Sequence, residues 1–386
     1  MLSHAPAGLS RKPLILLLVW GLAIVAILPF LFRWPAPPPA PGWGALVRVA
    51  LGYLAVLAVG YCMYRAELLR LPRRDALVLA LFVLLLTAVT CQVHRATVDY
   101  GRPVFEGVSN TAWQSGLEDA IIQWSKFDVP HTYRFLPNSI VRWFQIGGFN
   151  FETARSFYRL LCSLLLFYAI YRYARLFTNH LGGMIAMLLT AIVLPVSYEN
   201  YGGQLNDPLS HLSFVLAFIF LETEEFAYLL ATVVIGSLAK EAILPMAGYY
   251  VLFGRKQKGY PLKAAALCAG GAAVALVVRY AVLKGGPMGY GQISGTTLKH
   301  VWTNLSDTRW PLAFLLTAGA YMPFLALRWK ETPATLRWLV VYWLPVIFVS
   351  SAFFSWLAEA RNFMPVVFVL AVIAGCHLSK SVEARP

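Results

Sequence analysis

Charged residues are scarce in this chain of 386 residues, because Asp, Glu, Lys and Arg make up 13% of it while hydrophobic residues make up 59%. A soluble globular domain carries about 25% charged residues. Such a chain can hide its apolar surface only in lipid, so the composition predicts a membrane protein. The formal net charge of +14 comes from short basic clusters between apolar runs, which favours cytoplasmic loops over nucleic-acid binding.

Cysteine is also scarce, and several common catalytic motifs are missing. The five cysteines lie in or at the edge of apolar runs, and none stands at a metal-ligand spacing from another. This argues against a disulfide framework and against a zinc site. Walker loops, GxSxG turns and HExxH helices do not occur in the sequence, which argues against the sites that those motifs build. Carboxylates and cations remain to carry any chemistry.

Long apolar runs recur through the chain, and a spanning helix needs about 20 such residues. The runs lie near 13–33, 44–64, 75–93, 157–176, 183–198, 207–221, 226–239, 242–253, 262–283, 310–328, 336–355 and 363–378. The first run contains no small-residue cleavage site, so we expect a retained helix and not a signal peptide. The sequence therefore predicts an all-α, polytopic transmembrane helical bundle with about 12 membrane segments.

The positions of Lys and Arg set the expected orientation, since cytoplasmic loops carry an excess of both. If every segment spans, the basic clusters all fall on one side; they lie at 11–12, 65–74, 172–175, 255–263, 328–337 and 380–385. We therefore expect a multi-pass protein of a bacterial inner or cell membrane. Both termini would be cytoplasmic, and any active site would face the extracytoplasmic (periplasmic) side.

The connection from about 95 to 156 is too long for a simple connector in a compact bundle. Within it, apolar residues recur at helical spacing in 110–127, and a second stretch, 138–146, begins at Asn138 as a cap. Trp and apolar groups favour the membrane interface, so two membrane-surface helices are expected here. The alternative is that these helices only cover the bundle.

A second irregularity is the short stretch 226–253. About 28 residues would have to provide two crossings, roughly 21 Å each at 1.5 Å per residue, against a hydrocarbon core of about 30 Å. The turn at Lys240-Glu241 should therefore lie below the membrane surface. Charged groups at such depth are tolerated only in a recess lined by protein or water.

This topology brings polar residues that are far apart in sequence to the predicted outer face, which is how a helical bundle builds a polar pocket. They are Asp99, Glu106, Glu118, Asp119, Tyr133, Arg134, Glu199, Asp207, Lys240, Glu241, Glu359 and Arg361. Structural alternatives stay open for several of them: a solvated helix face for Glu118-Asp119, a helix cap for Asp207, a mutual pair for Lys240-Glu241 and an ion pair for Glu359-Arg361.

Four stretches resemble the GT-C superfamily of glycosyltransferases, which use lipid-phosphate sugars. YRFLPNSIVRWFQIGGFNFETARSFYRLL is similar to the passage from the first outer loop into the second core helix, and LNDPLSHLSF to the second outer loop. SLAKEAILP is similar to a recurrent Lys/Arg-Glu turn, and LAEARNFMP to the Glu-x-Arg start of a late helix. The resemblance covers about residues 75–378, by pattern and not by identity. It implies two N-terminal helices in 1–74, a seven-helix core in 75–283 and C-terminal transmembrane helices in 284–386.

The resemblance implies transfer of a sugar from a polyprenyl-phosphate donor to a glycan, lipid or protein acceptor, in one inverting step with a carboxylate as general base. The implied catalytic residues are Asp99, Glu106 and Asp207, and Asp207 would also hold a divalent metal, Mg or Mn, as in some relatives. The implied substrate-binding residues are Tyr133, Arg134, Asn110, Glu199, Lys240, Glu241, Glu359 and Arg361. Of these, Arg134, Lys240 and Arg361 would bind the phosphate charge, and Asn110 stands where relatives place the catalytic aspartate.

Two other classes of function remain open at this point. A transporter or flippase for a lipid-linked or anionic substrate would also place charges in a central cavity, although the two halves of the chain show no duplication. A catalytically silent membrane protein of the same fold is the second alternative, because Asn110 replaces the expected aspartate. Membrane lipids are expected partners in every case, and nucleic acid is not.

Overall fold

The computed structural model describes residues 73–99, 107–122, 134–198, 205–282 and 297–383 of the chain. The predicted helices at 13–33 and 44–64 lie outside these residues, as do three predicted site residues, Glu106, Tyr133 and Glu199. The described residues form helices joined by turns and short 3-10 or π-helical stretches, with no β-strand among them. The all-α prediction is therefore confirmed for this part of the chain.

The helices of the described residues are numbered here in chain order. They are α1 (Arg73–His94), α2 (Asn110–Ile122), α3 (Phe135–Ile146), α4 (Phe151–Ala174), α5 (His180–Val193), α6 (Asn206–Glu222), α7 (Phe226–Ala239), α8 (Met246–Phe253), α9 (Tyr260–Leu276), α10 (Thr297–Ser306), α11 (Arg309–Leu327), α12 (Ala334–Phe354) and α13 (Met364–Glu383). Both helices predicted in the long loop are present as α2 and α3. Helix α10 was not predicted, because its ten residues are fewer than a membrane span needs.

Five of the described helices are long and apolar enough to cross a membrane, which supports a membrane protein. They are Arg74–His94, His180–Ser197, Arg309–Leu327, Ala334–Phe354 and Ala360–Ser381. Helix α7 and the stretch Glu241–Phe253 are apolar but shorter, in line with the short pair predicted at 226–253. The count of about 12 membrane segments and the sidedness of the termini stay predictions.

Helix α13 lies at the centre of the core. Residues 366–374 are all 0% exposed, and 89% of its apolar window is buried, against 28–44% for the other four spans. A helix that is apolar on every side is stable only where other protein segments or lipid surround it. Helices α11, α12 and α13 share one hydrophobic core with α1 and with α4 to α9.

Helices α13 and α5 approach each other closely through two glycines. A Cβ atom on Gly375 would lie 2.5 Å from the backbone oxygen of Gly182, and one on Gly182 would lie 3.0 Å from the oxygen of Gly375. Small residues let helix backbones come together in an apolar bundle, where packing contributes more than hydrophobic exclusion. This contact fixes the position of the central helix.

The bundle has two chemically distinct ends. At the basic end, defined by Arg175, Arg255, Arg328 and Lys380, the turns between helices are joined by side-chain hydrogen bonds such as Thr178–Ser379 (3.0 Å) and Thr332–His377 (3.0 Å). The opposite end, called the site end, is defined by Asp99, Asp207, Lys240 and Arg361, which contact one another or a common neighbour. Which end faces the cytoplasm stays a prediction.

We expect Gly375→Ala to destabilise the protein, because the added Cβ would lie 2.5 Å from a backbone oxygen that cannot rotate away. Overpacking of this kind costs about 1–3 kcal/mol, which thermal unfolding of the detergent-solubilised protein will detect. Gly116→Ala is the control, because a Cβ atom added at Gly116 would meet nothing within 4 Å. Equal melting temperatures for Gly375→Ala and the unmodified protein would contradict the close helix contact.

Candidate functional site

The first part of the site is the Asp207 cluster, formed by Asp207, Lys240, Glu359 and Arg361. Asp207 lies in the first turn of α6, Lys240 directly follows α7 in extended conformation, and Arg361 lies in the 3-10 turn that leads into α13. Lys240 Nζ is 3.2 Å from Asp207 Oδ1, and Arg361 Nη1 is 2.8 Å from Asp207 Oδ2. Arg361 Nη2 also donates to Glu359 Oε2 at 2.9 Å.

Asp207 uses each carboxylate oxygen for a different cation, which limits what else it can do. The N-cap of α6 is Leu205 and Asp207 lies within the first turn, so the helix-cap alternative is wrong. The ion pair between Glu359 and Arg361 is present, as one alternative expected.

A divalent cation does not fit at Asp207, because Lys240 and Arg361 already occupy its oxygens and would repel a second charge. Among the described residues no group of three or more His, Cys, Asp or Glu is placed to hold a metal ion.

Lys240 and Glu241 do not pair with each other, although they are adjacent. The backbone turns between them, so that Lys240 points to Asp207 while Glu241 receives two hydrogen bonds from Arg134, at 3.0 and 2.5 Å. The Arg134 side chain is 8% exposed, whereas that of Glu241 is 49% exposed. This bidentate pair ties the start of α3 to the turn between α7 and α8. It is more accessible than the ion pairs of the Asp207 cluster.

A second buried cluster surrounds Asp99, which follows α1. Arg155 Nη2 lies 3.0 Å and Arg159 Nη1 2.9 Å from the Asp99 carboxylate, and all three side chains are at most 5% exposed. Both arginines also donate to Gln114 Oε1, at 2.6 and 3.2 Å. Asn110 donates to the backbone oxygen of Val98 at 2.6 Å. Asp99 therefore holds α1, α2 and α4 together.

His94 connects the two clusters. It is buried at the end of α1 and interacts electrostatically with Arg155 and Arg159 on one side and with Asp207 and His211 on the other. The predicted site residues that the structure describes, Asp99, Asn110, Arg134, Asp207, Lys240, Glu241, Glu359 and Arg361, thus lie at the same end of the bundle. Their roles in catalysis or binding stay predictions.

The buried face of helix α2 is mostly polar. Its buried residues are Asn110, Gln114, Glu118 and Ile121, so three polar side chains at a spacing of four face the protein. The alternative of a solvated helix face is wrong for Glu118, which is 0% exposed, whereas the side chain of Asp119 is 48% exposed. Gln145 donates to both of its oxygens at 2.8 and 2.7 Å, while Arg142 pairs with Asp119.

Burial raises the pKa of Glu118 to about 7, although the nearby guanidinium of Arg142 and the hydrogen bond from Gln145 act in the opposite direction. A carboxyl group with such a pKa takes up a proton within the physiological range. Glu118 lies between α2 and α3, so its protonation acts on the contact between the two loop helices.

A small cleft opens between α2, α3 and the start of α6. It is lined by Gln114, Leu117, Ile121, Arg134, Asn138, Leu205 and Asn206. Arg134 brings a guanidinium group, while Leu117, Ile121 and Leu205 provide apolar walls. Gln114 Nε2 is buried and has no hydrogen-bond acceptor among the residues that the structure describes, although its Oε1 is fixed by two arginines. An unsatisfied buried donor at the edge of a cleft is costly unless a ligand accepts its hydrogen bond.

Sequence reasoning missed Gln114, Asn138 and Arg155 as members of this site. A signal for Gln114 was available, because Asn110, Gln114 and Glu118 follow one another at the spacing of a single helix face. Arg155 could not be assigned in the same way, since one position of a helix says nothing about which distant carboxylate it meets.

Comparisons of the chain with protein-family models, curated proteins and solved structures found no match. The site therefore has to be interpreted from its own geometry.

We expect Asp207→Asn to destabilise the protein by about 3–5 kcal/mol, because it leaves Lys240 and Arg361 buried with one counter-charge fewer. Glu331→Gln is the matched control: it removes a carboxylate whose pair with Arg328 is about half exposed, and such pairs contribute about 0–1 kcal/mol. Thermal unfolding in the same detergent compares the two variants. A loss for Asp207→Asn no larger than for the control would contradict a structural role of the cluster.

The raised pKa of Glu118 predicts that lower pH strengthens the contact between α2 and α3. The unfolded carboxyl has a pKa of about 4.3, so between pH 6 and pH 8 only the folded state releases this proton and stability falls as pH rises. The change is about 1.4 kcal/mol, equivalent to about tenfold slower hydrogen exchange of α2 amides at pH 6 after correction for the intrinsic rate. Glu118→Gln should abolish this difference, and a difference that persists in Glu118→Gln would rule out Glu118 as its source.

Proposed function

We propose that this protein transfers a sugar from a polyprenyl-phosphate donor to an acceptor hydroxyl at the membrane surface, and that the cleft beside Arg134 binds the donor phosphate. The cleft carries this proposal, because it combines a guanidinium group, a buried amide donor without an acceptor and apolar walls. That combination suits a phosphate attached to a hydrocarbon chain. The resemblance of the sequence to GT-C glycosyltransferases points to the same substrate class.

Arg134 suits the phosphate better than the other two expected cations. Lys240 and Arg361 are both buried against Asp207, and neither lines the cleft. Arg134 lines it, and its present partner, Glu241, is half exposed to solvent. A phosphate could replace Glu241 as the partner of Arg134, since guanidinium binds phosphate in the same forked geometry as carboxylate.

The proposed reaction needs a general base that is free to take a proton. The base accepts the proton of the acceptor hydroxyl, the hydroxyl oxygen forms a bond to the anomeric carbon, and the bond from that carbon to the phosphate oxygen breaks. Polyprenyl phosphate leaves with the electron pair, and Arg134 and Gln114 stabilise its charge. Asp99 and Asp207 each hold two cations, so their oxygens are already engaged and not free to act as the base. Of the three carboxylates implied by the resemblance, Glu106 is therefore the one that we propose as the base.

A protein that binds the lipid phosphate without transferring a sugar is the second candidate. The engagement of both Asp99 and Asp207 in ion pairs favours it, because the described carboxylates implied as bases are committed to structure. The two candidates share the cleft and differ in whether the sugar–phosphate bond is broken.

The test measures binding of polyprenyl phosphate to the purified protein and release of polyprenyl phosphate from labelled donor sugars. We expect Arg134→Gln to weaken binding about ten- to hundredfold, the loss typical of a charged hydrogen bond. Gln114→Glu should also weaken it, because it keeps the oxygen that accepts from the arginines and removes the amide donor. Arg328→Gln is the control, since Arg328 is an exposed cation at the basic end.

Three results separate the possibilities. Binding and sugar release that both depend on Arg134 support the transferase. Binding that depends on Arg134, without release for any donor, supports the second candidate. Binding that Arg134→Gln leaves as tight as in Arg328→Gln overturns the assignment of the cleft in both.

A further inference from the structure

Helix α10 (Thr297–Ser306) is amphipathic in an unusual sense, because its apolar side is the exposed one. Leu298 is 78% and Trp302 71% exposed, and Leu305 is 44% exposed. These residues stand at a spacing of four and three, so they form one face of the helix. The helix is not among the described candidate spans, and its ten residues cover about 15 Å.

The opposite face of α10 is buried and hydrogen-bonded. Asn304 donates to the oxygens of Ala352 and Ser355 at 3.0 and 2.9 Å and accepts from the backbone amide of Leu357 at 3.0 Å. His300 Nε2 lies 2.8 Å from the oxygen of Ser355. The helix is thus fixed by its polar side to the end of α12, and its apolar side points away from the protein.

The neighbouring elements place this helix at the boundary of the apolar region. Arg309 pairs with Asp307 at the junction of α10 and α11 (Nη2 to Oδ2, 2.8 Å), and its side chain is 72% exposed, a position suited to water or lipid headgroups. Beyond it, α11 exposes Leu312 and Leu315, at 57% and 59%, as expected of a helix that faces lipid. The exposed face of α10 therefore adjoins both a polar boundary and an apolar membrane surface.

We infer that α10 lies in the membrane interface at the site end, with Leu298, Trp302 and Leu305 inserted among the lipids. Trp at such a level places an amphipathic ring at the headgroup region, and burial of an exposed Leu or similar side chain is favourable by about 1.5–3 kcal/mol. A second copy of the chain is a poorer occupant. Three side chains of this size cover on the order of 400 Å², about half of the 800 Å² per partner that a stable protein interface buries.

This inference concerns membrane contact and is independent of the proposed sugar transfer. Helix α10 also supports the connection between α12 and α13, because Asn304 and His300 bind the backbone oxygen of Ser355. The Ser355 hydroxyl in turn lies 3.4 Å from Glu359 Oε2. Hydrogen bonds therefore link α10 to Ser355 and Ser355 to Glu359, which belongs to the Asp207 cluster.

Photo-crosslinking in lipid vesicles tests the inference directly. Benzoylphenylalanine replaces one residue at a time in protein reconstituted into phosphatidylethanolamine and phosphatidylglycerol, and mass spectrometry identifies the adducts after illumination. We expect phospholipid adducts at positions 298 and 302 in yields similar to position 315 on α11. Thr303, exposed on the side of the same helix, should give at least fivefold less.

Each alternative outcome contradicts the inference in a recognisable way. Adduct yields at 298 and 302 as low as at 303 would mean that the face is in water. A crosslink from 302 to a second copy of the chain, seen as a covalent dimer, would mean that it is a protein interface. All these variants alter exposed side chains, so equal melting temperatures confirm that the fold is intact.

Discussion

An ionised carboxylate inside an apolar bundle is stable only if cations and hydrogen bonds replace the water that it loses. Asp207 meets this constraint with Lys240 on one oxygen and Arg361 on the other. The three residues come from the start of α6, the end of α7 and the turn before α13, so neutralising one charge fixes three helices. The ion pair of Arg361 thus holds the turn that leads into the buried central helix α13.

The same constraint explains why the site contains two kinds of ion pair. The Asp99 and Asp207 clusters are buried on all sides, and breaking either one would leave an uncompensated charge in an apolar medium. The pair of Arg134 and Glu241 has one half-exposed partner, so solvent reaches its carboxylate while the guanidinium group stays buried. Buried pairs and a partly exposed pair therefore lie side by side, and among the cations of these pairs Arg134 lines the cleft.

The sequence predicted best those features that depend on a run of apolar residues or on the spacing of charged residues. Apolar runs predicted the helices of the bundle, and the alternation of basic clusters predicted that Asp207, Lys240 and Arg361 meet at one end. The sequence did not predict which charged residues pair with each other. Lys240 and Glu241 are adjacent in the chain, yet Lys240 pairs with Asp207 and Glu241 with Arg134. The sequence did not predict which face of α2 is buried, because its apolar residues indicated only a membrane-surface helix, whereas Asn110, Gln114 and Glu118 face the protein and are held there by hydrogen bonds. Helix α10 was missed because ten residues with an outward apolar face resemble neither a span nor a core helix.

The position of Gln114 shows how a buried ion cluster can serve a neighbouring cleft. Asp99 neutralises and orients Arg155 and Arg159, and these donate to Gln114 Oε1, so the amide cannot turn over without losing both hydrogen bonds. Its Nε2 donor is consequently fixed in direction before any ligand arrives, which lowers the ordering cost of binding. A cluster that contributes no free base to the proposed reaction would still decide how the phosphate is bound. Replacing Asp99 should therefore weaken binding at the cleft even though Asp99 does not line it.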